Sequence, residues 1–123
     1  MHDVARAFVP VDVVDRVIDA LDNGADAVIP VLPVVDTLTA VDADGAVLGT
    51  VDRAPLRTVQ TPQGFRLAAL VAAHAAAVDV EHTDDASVVE RGGGRVVAVE
   101  GSELAFKVTR PLDLLLAEAV ARS

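Results

Sequence analysis

The chain has 123 residues, enough for one domain or part of one, and 52% of them are hydrophobic, so extended disorder is excluded. It contains no cysteine, which removes disulfides and thiolate metal sites and makes the cytoplasm the expected compartment. Its formal net charge of −9, from 19 acids and 10 bases, argues against a nucleic-acid partner, and no apolar run is long enough to suggest a membrane partner. The opening residues lack the basic-then-apolar layout of a secretory signal. Lys107 is the single lysine among nine arginines.

Taken in chain order, residues 1–9 show no period but group His2, Asp3 and Arg6. Residues 10–23 predict a helix, with Pro10 in its first turn, Gly24 just past its end, and Val14, Val17, Ile18 and Leu21 as the buried stripe. The apolar run 27–32 predicts a strand buried on both faces. Thr37, Thr39 and Val41 precede Asp42-Ala43-Asp44-Gly45, and Val47 and Leu48 follow it. That pattern predicts a hairpin, and one with too few large apolar residues to stand alone in water.

Residues 56–60 predict another strand, followed by Thr61-Pro62-Gln63 and a helix over 64–78, with Phe65, Leu67, Leu70, Val71 and His74 near its apolar side. Thr83, ahead of Asp84 and Asp85, suits the N-cap of a short helix that ends near Gly92. A strand over 95–99 follows. The last helix is expected to start at Thr109 as N-cap, with Pro111 in the first turn and Leu112, Leu115, Leu116 and Ala119 as its stripe. Alternating strands and helices predict an α/β fold with a largely parallel sheet. The few strands are thin for such a sheet, and further strands ahead of Met1 are expected to complete it.

Polar groups that could form a site lie near the ends of predicted elements, where α/β sheets bind ligands. They are Asp3 with Arg6, Asp36 with Thr37, Arg53, Thr83 with Asp84, and Lys107. Lys107 stands just before a helix start, and both an ammonium and exposed helix N–H groups attract phosphate. A solvated surface lysine is the competing reading. Arg53 can fork onto a phosphate or pair with Asp52 on the surface. Asp3 can hold a divalent metal, bind a sugar hydroxyl, or cap a turn. Thr83 is most simply a helix cap and Thr37 a strand threonine. His2, His74 and His82 share no metal-ligand spacing. Gly92-Gly93-Gly94 follows a helix and precedes a strand, the reverse of a phosphate loop.

His2-Asp3-Val4-Ala5-Arg6, Asp36-Thr37, Arg53, Gln60-Thr61-Pro62-Gln63-Gly64-Phe65, Thr83-Asp84-Asp85-Ala86-Ser87 and the run from Lys107 to Leu114 occur in one order along the whole chain. In that order they resemble the C-terminal part of the 2-C-methyl-D-erythritol 4-phosphate cytidylyltransferases of non-mevalonate isoprenoid synthesis. The resemblance implies part of a Rossmann-like nucleotidyltransferase sheet, with all 123 residues in one domain and a protruding β-arm over 36–53. It implies that methylerythritol phosphate attacks the α-phosphate of CTP and releases pyrophosphate, with Mg²⁺ assisting. Arg53 and Lys107 would then orient the acceptor phosphate as catalytic groups. Asp3, Arg6, Thr37 and Thr83 would line the substrate, with Asp3 also the metal ligand. The arm would reach across a homodimer, so that Thr37 and Arg53 serve the neighbouring subunit.

Two features depart from the family's pattern: Thr39 stands where many relatives carry a basic residue, and Val4 where alanine is usual. The glycine-rich loop that grips CTP in the family has no counterpart here, so these residues alone are not expected to turn over. A cytidylyltransferase for ribitol 5-phosphate or a similar pentitol phosphate, and a non-catalytic dimerising fragment, are the alternatives.

Overall fold

A computed structural model describes residues 1–76 and 84–123. The elements run α1 (Val11–Asp22), β1 (Ala27–Pro33), β2 (Leu38–Val41), β3 (Val47–Val51), β4 (Arg57–Val59), β5 (Gly64–Phe65), α2 (Leu67–Ala76), α3 (Asp85–Arg91), β6 (Val96–Glu100), a 3₁₀ turn at Glu103–Ala105, and α4 (Pro111–Arg122). The α/β expectation holds, but the sheet is mixed. β1 pairs in parallel with β6 on one side, and antiparallel with β4 and β5 on the other. β5 corrects the reading of 64–78 as continuous helix: Phe65 lies opposite Ala27 in the sheet, and the helix begins at Leu67. The predicted end of that helix lies outside the described residues.

Because successive strand residues face opposite ways, β1 feeds two cores. Ala27 packs with Ala73, Val88 and Val89, with Phe65, Leu70 and Val96 around them, beneath α2 and α3. Val28 packs on the other face with Val17 and Ala25, bordered by Ala20, Leu21, Val97 and Val99. α1 therefore buries Val17 of the predicted stripe together with Val13, with Leu21 at the border of that core, whereas Val14 and Ile18 are exposed. Valines at 11, 13, 14 and 17 are compatible with more than one face, and packing against Gly64 selects it. A Cβ on Gly64 would meet Val17 and Leu21.

Two further predicted stripes are corrected, although Phe65 and Leu70 of the first do border the core. Leu67, Val71 and His74 on α2 are exposed, and Ala73 faces the core. On α4, Leu112, Leu115 and Leu116 are exposed, while Asp113 and Ala117 turn inward.

The hairpin β2–β3 is a separate two-stranded sheet, paired from Leu38↔Val51 to Val41↔Val47 with a register shift at Ala40/Val41. Its turn is built as its residues suggest. Asp42 Oδ1 accepts the N–H groups of Asp44 and Ala46, and Gly45 takes a positive φ of 86°. Nearly all of the hairpin is exposed, Val47 and Leu48 included.

One crosslink joins β4 to the end of β6. The buried Gln60 side chain donates from Nε2 to the Ser102 carbonyl at 2.9 Å and accepts the Ser102 N–H on Oε1 at 3.0 Å. Gln60 N–H also bonds the Pro30 carbonyl, and Gly101 N–H the Val31 carbonyl. A Cβ at Gly101 would collide with Gln60 Oε1 and sit 3.1 Å from the Val31 carbonyl oxygen. Gly101→Ala is therefore expected to displace the Gln60 amide and to cost about 1–3 kcal/mol of stability, measured by chemical denaturation of the whole protein.

Candidate functional site

Residues 1–6 lie between the β4–β5 junction and the segment 105–108. The Met1 amino group donates to the Gln63 carbonyl at 2.9 Å, and Gln63 N–H returns a bond to the Met1 carbonyl at 2.8 Å. Asp3 N–H donates to Thr61 Oγ1 at 3.0 Å. From the other side, Val108 N–H bonds the Ala5 carbonyl at 2.9 Å, and the rings of Phe8 and Phe106 stack with centroids 6.5 Å apart. These bonds place the start of the chain beside the approach to α4.

Here Lys107 Nζ meets Asp3 Oδ2 at 3.1 Å, with their side chains 49% and 30% exposed. Asp3 Oδ1 accepts the Ala5 N–H at 3.0 Å. That backbone bond first, and the Lys107 ammonium second, hold the Asp3 carboxyl below the ordinary carboxylate range. An ammonium has three donors, so the bond to Asp3 leaves Lys107 two for another anion. Arg6 bonds the same segment. Its Nη1 donates to the Ala105 carbonyl at 2.7 Å, and its buried Nε has no partner among the described residues.

Asp3, Arg6 and Lys107 are thus brought into one place. Arg53 and Thr37 are not: both are exposed at the base of the hairpin, where Arg53 Nη1 donates to the Val35 carbonyl at 2.7 Å. Neither bonds Asp3, Arg6 or Lys107 among the described residues. Thr83, expected both as a helix cap and as a substrate residue, lies outside the described residues. Asp84 is the observed N-cap of α3, its Oδ1 accepting the Ser87 N–H at 2.8 Å.

Thr61, Gln60 and Gln63 belong to the site's frame, though nothing about spacing assigned them a task. Thr61 was legible only as part of the family's Gln60–Phe65 motif, since its partners are 58 and 59 positions away.

The start of α4 also departs from expectation. Arg110, not Thr109, is the N-cap, and Asp113 does the accepting. Its Oδ2 takes the N–H groups of Thr109 at 3.2 Å and Arg110 at 3.0 Å, and the Thr109 hydroxyl at 3.2 Å. The Arg110 guanidinium closes the cluster at 3.3 Å.

No group of three or more His, Cys, Asp or Glu side chains that could hold a metal converges among the described residues. The donor set at Asp3 is one carboxylate already in contact with an ammonium. It can supply at most one ligand to a cation, whose others would have to come from phosphate oxygens and water.

A family model described as 2-C-methyl-D-erythritol 4-phosphate cytidylyltransferase matches residues 1–123. The chain belongs to that cytidylyltransferase family. Relatives of that name from Streptomyces coelicolor and Saccharopolyspora erythraea are each 56% identical over 98% of this chain, and the match covers 46% and 53% of their lengths. The chain therefore spans about half the length of these curated relatives. Among solved structures, the Thermus thermophilus cytidylyltransferase matches with a TM-score of 0.89 at 48% identity, covering 99% of this chain and 60% of that one. The Francisella tularensis enzyme matches at 0.82 and 28% identity, covering 96% and 56%. The mixed sheet with its separate hairpin is thus the arrangement of this family's structures.

The cap at α4 makes a pH prediction. The Arg110 guanidinium first, and then the N–H groups and hydroxyl around it, lower the Asp113 carboxyl from 3.8 to about 2. A depressed carboxyl stabilises the folded state above its unfolded value, so this contribution is complete above about pH 4 and is lost as pH falls through about 2. Thermal melts should therefore show wild type and Asp113→Asn separated at neutral pH and converging toward pH 2.

Proposed function

We propose that these residues form the acceptor-binding, C-terminal part of one Rossmann-like nucleotidyltransferase domain. The activity is cytidylyl transfer from CTP to 2-C-methyl-D-erythritol 4-phosphate, in the cytoplasm and in the service of isoprenoid precursor synthesis. Family membership supports the reaction class. The observation that carries the site is the half-exposed Lys107 ammonium, pinned by Asp3 at 3.1 Å with donors to spare.

An oxygen of the acceptor phosphate attacks the α-phosphorus of CTP. The new P–O bond forms as the bond to the β-phosphate oxygen breaks, and pyrophosphate departs. Two anions must approach each other, so positioning and charge stabilisation dominate. Lys107 holds and orients the acceptor phosphate. Asp3 sets the ammonium's direction and, with Arg6, faces the acceptor's hydroxyls. Asp3 would be the residue to hold a divalent ion carried in with CTP, and such an ion, when bound, would supply charge neutralisation. The family resemblance alone adds Thr83 to the substrate-binding residues.

The exposed hairpin has the form of an arm for a second copy of the chain. Residues 36–53 would then dimerise two subunits and deliver Thr37 and Arg53 to the partner's site.

In the whole protein, Lys107→Ala should lower turnover of methylerythritol phosphate by about 10²–10³, as loss of one charge-stabilising donor does elsewhere. Turnover within about threefold of wild type, judged against that same range, would overturn the assignment. Faster turnover of ribitol 5-phosphate by the wild type would redirect it to a pentitol phosphate.

The arm makes a separate prediction. Lys107→Ala and Arg53→Ala proteins, each inactive, are mixed after dissociation. If Arg53 acts across the dimer, half of the dimers regain one intact site, restoring about a quarter of wild-type activity. No recovery would place Arg53 in its own subunit's site.

A further inference from the structure

His2 and Thr61 are joined to the site without belonging to its charged groups. His2 Nε2 lies 3.1 Å from the Arg6 carbonyl oxygen, and His2 Nδ1 lies 3.0 Å from Thr61 Oγ1. Thr61 Oγ1 in turn accepts the Asp3 N–H at 3.0 Å, and Arg6 N–H bonds the Asp3 carbonyl at 3.0 Å.

The roles follow from donor inventory. A carbonyl oxygen only accepts, so Nε2 must carry the proton that lies between it and the Arg6 carbonyl. In the neutral ring Nδ1 is then a bare acceptor, and the partner facing it has to donate. The Thr61 hydroxyl has one hydrogen to give, and its lone pair already receives the Asp3 N–H. Every group in the circuit is satisfied in one way: Asp3 N–H to Thr61, Thr61 O–H to His2 Nδ1, His2 Nε2–H to the Arg6 carbonyl, and Arg6 N–H back to Asp3. The other neutral tautomer would set the bare Nε2 against the Arg6 carbonyl, lone pair to lone pair.

We propose that His2, as the neutral Nε2–H tautomer, and Thr61 are positioning residues that lock the turn carrying Asp3 and Arg6 for the acceptor. The circuit fixes the backbone at both residues and anchors it to the β4–β5 junction through Thr61. Neither side chain touches a reacting atom. The effect is therefore expected in acceptor binding rather than in the chemical step.

The proposal rests on the cytidylyltransferase reading only through its kinetic consequence, so two measurements are needed. The first is nitrogen NMR of labelled whole protein, at a pH where the ring is neutral. His2 should show a protonated Nε2 and an unprotonated Nδ1 in wild type, and in Thr61→Val the Nδ1 resonance should move to that of an acceptor without a donor while Nε2 stays protonated. An Nδ1–H ring in wild type overturns the circuit whatever the protein's activity. The second is steady-state kinetics with both substrates varied. Thr61→Val should raise KM for methylerythritol phosphate about tenfold, the worth of one well-placed hydrogen bond, and leave KM for CTP within about twofold. Thr61→Ser, which keeps the hydroxyl, should restore the acceptor KM. Equal effects on both substrates, or no rescue by serine, would reduce Thr61 to a structural residue. Failure of the wild type itself to use methylerythritol phosphate would sink the functional reading while leaving the NMR result to decide the circuit.

Discussion

Among the described residues, each strand of the main sheet pairs with β1, which makes β1 the constraint on everything else. Its parallel partner β6 and its antiparallel partners β4 and β5 must lie on opposite sides of it. Ala27 and Val28, small and fully buried on opposite faces, let helices come close on both. α1 meets one face at Gly64 and Val17, and α3 meets the other through Val88 and Val89.

The site inherits its geometry from that arrangement. Gln60, at the end of β4, reaches across the end of β1 to Ser102, just beyond β6. Two stretches distant in sequence, 60–63 and 101–108, are thereby held side by side. The first six residues lie against both, bonded to Thr61 and Gln63 on one side and to Ala105 and Val108 on the other. The Asp3–Lys107 pair forms where they meet. The pair is half exposed, so its contribution to stability is small. Its value lies in holding an ammonium that retains donors for phosphate.

Much of this was legible in the sequence where the signal is local. Pro10, Gly24, the Asp42–Gly45 turn and Pro111 mark their elements because each residue's backbone preference acts within a few positions. The misreadings occurred where tertiary contacts choose between equivalent local options. Gly64 and Phe65 continue an apolar helical pattern, yet Phe65 is taken into the sheet by Ala27. The abundant valines of α1 and leucines of α4 allow several faces, and composition cannot say which one is buried. Thr109 fits a cap, but Asp113 reaches back and claims the same donors. In the site, Asp3 and Lys107 stood out as residues, whereas the frame around them did not. Thr61 meets His2 and Asp3 from more than fifty positions away, and no spacing rule reports such a contact.

The central claim is that the Lys107 ammonium, set in place by Asp3, receives the acceptor's phosphate. A crystal structure of the whole protein with 2-C-methyl-D-erythritol 4-phosphate bound tests it most directly. The account predicts a phosphate oxygen about 3 Å from Lys107 Nζ, with Asp3 still beside the ammonium or turned to the acceptor's hydroxyls. A phosphate bound elsewhere, with the Asp3–Lys107 pair untouched, would contradict it.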